Sequence, residues 1–245
     1  QMFKYIDQNQ PVRFLIAECD FAMTALTALY FAKLFNLEKK IDISPLFETE
    51  KALATGHLVV ETLVKNQHYR KYILQRGKIC IQTGFSDAGR YLGQPAAVLS
   101  IENLQRKIAK VLADNKLSSI KLLIFDTHGE SIGRGGQPVS LEERLQDINC
   151  SYTRNKLDEW NIKLIQEVSF QGGDGYQYFL NPDLSYAALT RIAEFCLKPN
   201  QKFNDDILYN SPDFGVEFVN TIKQFNTNIM DNPNYAALLN VFGSN

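Results

Sequence analysis

Ile120-Lys121-Leu122-Leu123-Ile124-Phe125 runs without a break into Asp126-Thr127-His128-Gly129-Glu130-Ser131-Ile132-Gly133-Arg134-Gly135-Gly136. The first part is the clearest strand in the chain, a short apolar run bounded by turn-forming residues. The second part is polar, charged and rich in glycine. Two other segments repeat the arrangement. Ile43-Ser44-Pro45-Leu46-Phe47 leads into Glu48-Thr49, and Lys78-Ile79-Cys80-Ile81-Gln82-Thr83 leads into Gly84-Phe85-Ser86-Asp87. In a barrel of parallel strands, the residues just past each strand face a common cup, and such folds keep their chemistry there.

Outward from these segments, further strands are expected at Arg13–Ala17 and Leu164–Phe170. Helical spacing marks Phe21–Phe35, Glu50–Lys65, Tyr69–Leu74 and Pro95–Asn115 between them. Strands alternating with helices predict parallel βαβ units. The expected class is therefore α/β, of the (β/α)8 TIM-barrel type, with about five parallel strands present. Residues 1–180 would form this partial barrel, carrying the metal and anion loops. Residues 181–245 would be a mainly helical continuation, with helices at Leu184–Leu197, Phe214–Phe225 and Asn234–Phe242. A closed barrel cannot lose strands without exposing sheet edges. The chain is therefore expected to be a segment of a larger protein.

Composition narrows the function classes. With 26 basic and 27 acidic residues the net charge is −1, so there is no bulk electrostatic case for nucleic acid or an anionic membrane. Cys19, Cys80, Cys150 and Cys196 include no CxxC pair, which argues against zinc and for buried thiols in a reducing cytoplasm. No secretory signal is visible at the start. The most apolar stretch, Phe21–Leu37, contains Lys33 and Asn36 and falls short of the ~20 apolar residues of a spanning helix. A cytoplasmic protein without a membrane segment is expected.

The chemistry concentrates at the strand ends. Glu48 and Asp87 follow neighbouring apolar runs, and Mg²⁺ takes few protein carboxylates, filling its shell with water and substrate oxygens. The same residues could instead cap or precede the next helices, where acidic groups are favoured. Gly133, Gly135 and Gly136 around Arg134 let backbone N–H groups approach an anion, and the guanidinium adds a fork for carboxylate or phosphate. A solvated turn would read the same way. His128 lies beside Asp126 and Glu130 and could be a base, a ligand or an anion donor. His57 and His68 fall on helical stretches and read as surface or packing residues.

Taken together, the segments resemble the phosphoenolpyruvate carboxylase family. Pro45-Leu46-Phe47-Glu48-Thr49 is similar to its PLFET segment, whose glutamate binds the metal. Gly84-Phe85-Ser86-Asp87 is similar to its GYSDS segment, whose aspartate is the second ligand. Ser131-Ile132-Gly133-Arg134-Gly135-Gly136 resembles the second half of its FHGRGGSIGRGG loop. Gln171-Gly172 resembles part of TEQGE, and Asn232-Pro233-Asn234-Tyr235 resembles ENPDF. The order agrees from about Arg13 to Phe242, a central-to-late part of a family member.

The resemblance implies a lyase that joins phosphoenolpyruvate and bicarbonate to give oxaloacetate and phosphate. Glu48 and Asp87 would hold Mg²⁺ or Mn²⁺. Arg134, His128 and Arg90 would be catalytic, with Arg90 standing for the family's lysine. Gly133, Gly135, Gly136 and Gln171 would bind substrate. The complete protein would be a homo-oligomer, and this segment alone would be inactive, since the family's catalytic histidine and one phosphate-binding arginine lie upstream. The sequence departs from the family where Asp126 replaces the loop's histidine, His128 its first arginine, Glu130 a glycine and Gly173 the acidic residue of TEQGE. A carboxylate at Glu130 weakens anion binding. The alternatives are another metal-dependent enzyme acting on an enolpyruvate or 2-oxo acid, and a non-catalytic relative.

Overall fold

The computed structural model describes residues 11–127, 149–168, 180–197 and 212–237. The chain alternates as expected through β1 (Val12–Ile16), α1 (Ala22–Leu34), β2 (Ile41–Phe47), α2 (Glu50–Lys65), α3 (Gln67–Arg76) and β3 (Lys78–Gly84). It continues through α4 (Phe85–Leu92), α5 (Gln94–Asp114), β4 (Lys121–Thr127), α6 (Ser151–Glu159) and β5 (Lys163–Val168). Two helices come last, α7 (Pro182–Leu197) and α8 (Pro212–Met230). The five strands form one parallel sheet in the order β1-β2-β3-β4-β5.

The sheet is not closed: among the described residues β1 and β5 each keep an unpaired edge. It is nevertheless strongly curled. A flat sheet would separate β1 from β5 by about 19 Å, at about 4.8 Å per strand. Yet Arg13 on β1 pairs with Glu167 on β5 at 2.5 Å, and its guanidinium lies 5.2 Å from the centre of the Phe125 ring on β4. The concave face therefore carries Arg13, Asp42, Cys80, Gln82, Phe125 and Glu167. The convex face carries Ile43, Phe47, Ile79, Ile81, Leu122 and Ile124, which pack with α2, α3 and α5 into the main core.

Local chemistry explains the element boundaries. Thr49 caps α2, its hydroxyl accepting from the Ala52 N–H at 3.2 Å. Asn66 caps α3 by accepting from His68 and Tyr69, and Gly77, at φ 66°, ends that helix in the left-handed conformation glycine tolerates. Pro45 has no N–H for the ladder, and β2 pairs with β3 at Leu46 and Phe47. Nearer its start, Tyr72 of α3 completes the backbone bonding. Its hydroxyl accepts from the Ile43 N–H at 2.9 Å and donates to the Ile41 carbonyl at 2.8 Å.

Two helices were not expected. Residues 85–92, to which no element was assigned, form α4. Residues 151–159 have few apolar positions but form α6, anchored where the Cys150 N–H donates to buried Glu102 at 2.8 Å. Among the described residues no helix is long and apolar enough to cross a membrane.

Candidate functional site

The expected metal residues both lie at the C-terminal end of the sheet. Glu48 is the first residue after β2. Its neighbour Thr49 takes the capping role, so Glu48 is left free for another use. Asp87 lies in the first turn of α4, directly after β3. It pairs with Arg90 one turn on, at 3.2 Å. Both carboxylates are partly buried.

Gly84 lets Glu48 lie close to the end of β3. A Cβ built on it would stand 2.6 Å from Glu48 Cβ and 2.9 Å from Glu48 Oε2. Only a residue without a side chain lets the end of β2 lie that close to the end of β3. The Glu48 carboxyl is pushed above its usual range, first by burial, then by the charge of Asp87, then by that of Glu18. Glu18 follows β1 and holds a left-handed backbone, φ 49°. Sequence reading did not select it. The signal was there, in a carboxylate placed after an apolar run like the other two.

Like charges held together in this way favour a bound cation. The donors are carboxylate oxygens, suited to Mg²⁺ or Mn²⁺, ions that need few protein ligands. Glu48 and Asp87 are donors of that kind. Among the described residues no group of three or more His, Cys, Asp or Glu side chains could enclose a metal.

Arg90, expected to be catalytic, stands beside the pair, with its side chain mostly exposed and its charge turned on Asp87. The last helix supports this arrangement. Asn226 of α8 donates from Nδ2 to the carbonyls of Arg90 and Tyr91, each at 3.0 Å, closing the C-terminus of α4. Gly93, at φ 84°, then turns the chain into α5 beside Ile222 of α8.

His128, Gly133, Arg134, Gly135, Gly136 and Gln171 lie outside the described residues, as do Glu130 and Gly173. Asp126, read as the first residue of the loop, belongs to β4 and points to the convex side, away from Glu48 and Asp87. It is fully buried, and burial pushes its carboxyl up to about 7, against the hydrogen bonds of Thr83 and Gln105 and the nearby amide of Gln166. His57 sits on α2, with its pKa lowered by burial and by Lys107. That is the behaviour of a packing histidine.

The phosphoenolpyruvate carboxylase family model matches residues 9–142. The chain is 32% identical to phosphoenolpyruvate carboxylase of Hahella chejuensis over 115 residues, 47% of this chain and 12% of that protein. It is 30% identical to the Corynebacterium glutamicum enzyme over 181 residues, 66% of this chain and 19% of that protein. It is 28% identical to phosphoenolpyruvate carboxylase 1 of Chlamydomonas reinhardtii over 133 residues, 54% of this chain and 13% of that protein. The chain thus spans less than a fifth of the length of these relatives. The family match takes in Glu48, Asp87 and Arg134. It stops short of Gln171 and of Asn232-Pro233-Asn234-Tyr235.

Proposed function

The chain belongs to the phosphoenolpyruvate carboxylase family, and from that premise we propose that it is the part of a lyase that joins phosphoenolpyruvate to bicarbonate, giving oxaloacetate and phosphate. The observation that supports this reading is that Glu48 lies against Gly84 at the end of the adjacent strand, where the charge of Asp87, one turn into α4, acts on it. Glu48 and Asp87 are the two positions that match the family's metal-binding segments.

Glu48 and Asp87 would hold Mg²⁺ or Mn²⁺, which supplies a Lewis acid for the enolpyruvate oxygen when bound. Arg90 neutralises Asp87 in this structure, and in the working site it would turn its exposed guanidinium toward the substrate's anionic groups. Arg134 would stabilise charge on the carboxylate being formed, with Gly133, Gly135 and Gly136 allowing the backbone to approach it. Gln171 would add a polar contact. His128 would give one pH-dependent contact to phosphate where an arginine fork would give two.

The barrel belongs to this proposal as well. Followed through the four ladders, Arg13 stands in register with Lys163, yet the residue it touches is Glu167, four further along β5. A stagger of about one residue per strand step is the shear of an eight-stranded parallel barrel. It supports the reading that these strands are an arc of one. A cytoplasmic homo-oligomer, inactive as the isolated segment, completes the reading.

One feature favours a different substrate. In the sequence, His128 and Glu130 replace an arginine and a glycine of the loop this segment resembles, which suits a metal-dependent enzyme acting on an enolpyruvate or 2-oxo acid with less phosphate contact. Manganese titration of the complete protein tests the shared core of both readings. Saturable binding that is lost in Glu48→Gln and in Asp87→Asn is expected. Binding unchanged in both variants would overturn the site.

A further inference from the structure

Asp126 lies near the end of β4, in line with Leu122 and Ile124, in the layer between sheet and helices. Its Oδ1 accepts hydrogen bonds from the Thr83 hydroxyl on β3 and from Gln105 Nε2 on α5, the latter at 3.1 Å. Gln166 on β5 reaches the same carboxyl. Yet Asp126 Oδ2, Gln105 Oε1 and Gln166 Nε2 are all buried without a properly formed hydrogen bond. Orphaned groups of this kind are costly inside a protein. One rearrangement gives Asp126 Oδ2 a partner. A glutamine amide can be turned over to exchange its oxygen and nitrogen, and a carboxyl that carries a proton becomes a donor.

We propose that Asp126 is a positioning residue that works as a neutral acid. Its Oδ2–H donates to the side-chain carbonyl of Gln166, tying β4 to β5 and fixing the end of β4, the strand that precedes His128 and Arg134 in the sequence.

The surroundings favour the neutral form. β3 offers the uncharged Thr83, α5 the uncharged Gln105 and β5 the uncharged Gln166. Glu102 on α5 is engaged by the Cys150 N–H. Among the described residues no cation acts on Asp126, so none of them compensates an ionised carboxylate there. Burial raises its pKa to about 7, so the proton is held below neutrality and released above it. From pH 6 to pH 8 the neutral fraction falls about tenfold. The consequence for Arg134 rests on the proposed function, whereas the proton on Asp126 does not.

Infrared spectra and amide hydrogen exchange on the complete protein test the proposal, with Asp126→Asn as reference. The asparagine keeps one acceptor and one donor but cannot ionise. Wild type is expected to show a buried carboxylic-acid carbonyl band at pH 6 that fades with a midpoint near 7 and is missing from the variant. Exchange at residues 124–127, relative to the variant, is expected to rise about tenfold between pH 6 and pH 8. Absence of the band in wild type at pH 6 would overturn the proposal however well the variant folds. A titrating band without the exchange change would overturn the positioning role. If both tie signals are present while the kcat ratio of wild type to variant stays flat with pH, the tie stands and the role given to Arg134 fails.

Discussion

Gly84→Ala is the perturbation that bears most closely on the site. The backbone at Gly84, φ −110° and ψ 120°, is one that alanine adopts without strain. The cost is therefore one of space. The added methyl would lie 2.6 Å from Glu48 Cβ, whereas carbon atoms rest about 3.5–4.0 Å apart. Glu48 Cβ is bonded to the backbone, so relief requires β2 and β3 to separate at their ends by about 1 Å. Overpacking of this kind costs about 1–3 kcal/mol, offset by about 0.4–1 kcal/mol from the stiffer unfolded chain. Metal ligands tolerate displacements of only about 0.2 Å, so the loss falls mainly on the metal. Manganese affinity, measured by calorimetry on the complete protein, should drop at least about tenfold, which is about 1.4 kcal/mol. Gly56→Ala is the control. Its methyl would press on the Phe47 ring at 2.9 Å from the opposite face of β2, so it should lower the urea midpoint and leave manganese affinity unchanged. Wild-type manganese binding in Gly84→Ala would refute the argument that Glu48 is placed by its approach to β3.

Asp42 is buried between Arg76 and Lys78, with its Oδ2 at 2.5 Å from the lysine, so Asp42→Ala would leave two cations uncompensated on the concave face. Both are partly shielded, and a loss of about 3 kcal/mol is expected in urea unfolding, less at high salt. Asp126 should shape the pH dependence of stability. Its folded pKa of about 7 lies above the ordinary 3.8, so between those values the unfolded chain gives up its proton first and stability falls as pH rises. The fall between pH 4 and pH 7 is about 3 kcal/mol, and urea midpoints of Asp126→Asn should lack it. Cys19 and Cys80 are buried, with their thiols pushed up to about 11, and should resist alkylation near neutral pH until the protein is unfolded.

Much of the fold was legible because parallel strands buried on both faces are written as continuous apolar runs, as in Leu122-Leu123-Ile124. Glu48 and Asp87 were legible for a related reason: a carboxylate directly after such a run must lie at the strand's C-terminal end. What escaped the sequence were side-chain directions and long-range partners. Asp126 looked like the start of a loop. Two more residues of pairing with β5 and β3 put it inside β4, and the alternation of a strand turned it to the convex side. Arg13 read as the flank of an apolar run, and nothing local shows that curvature brings it to Glu167. α4 was hidden because its helical character comes from the packing of Phe85, Ala88 and Leu92 into the core, while Gly84, Gly89 and Gly93 signal turns. The role of Asn226 in closing α4 depends on a contact 135 residues away in sequence.

The proposed activity is carboxylation of phosphoenolpyruvate by the complete protein, at the strand ends that carry Glu48 and lead into Asp87. Incorporation of labelled bicarbonate into oxaloacetate, with and without Mn²⁺, tests it most directly, in wild type beside Asp87→Asn. The account predicts phosphoenolpyruvate-dependent incorporation that requires the metal and is lost in the variant. Incorporation that persists in Asp87→Asn, or none in a folded wild-type protein loaded with Mn²⁺, would contradict it.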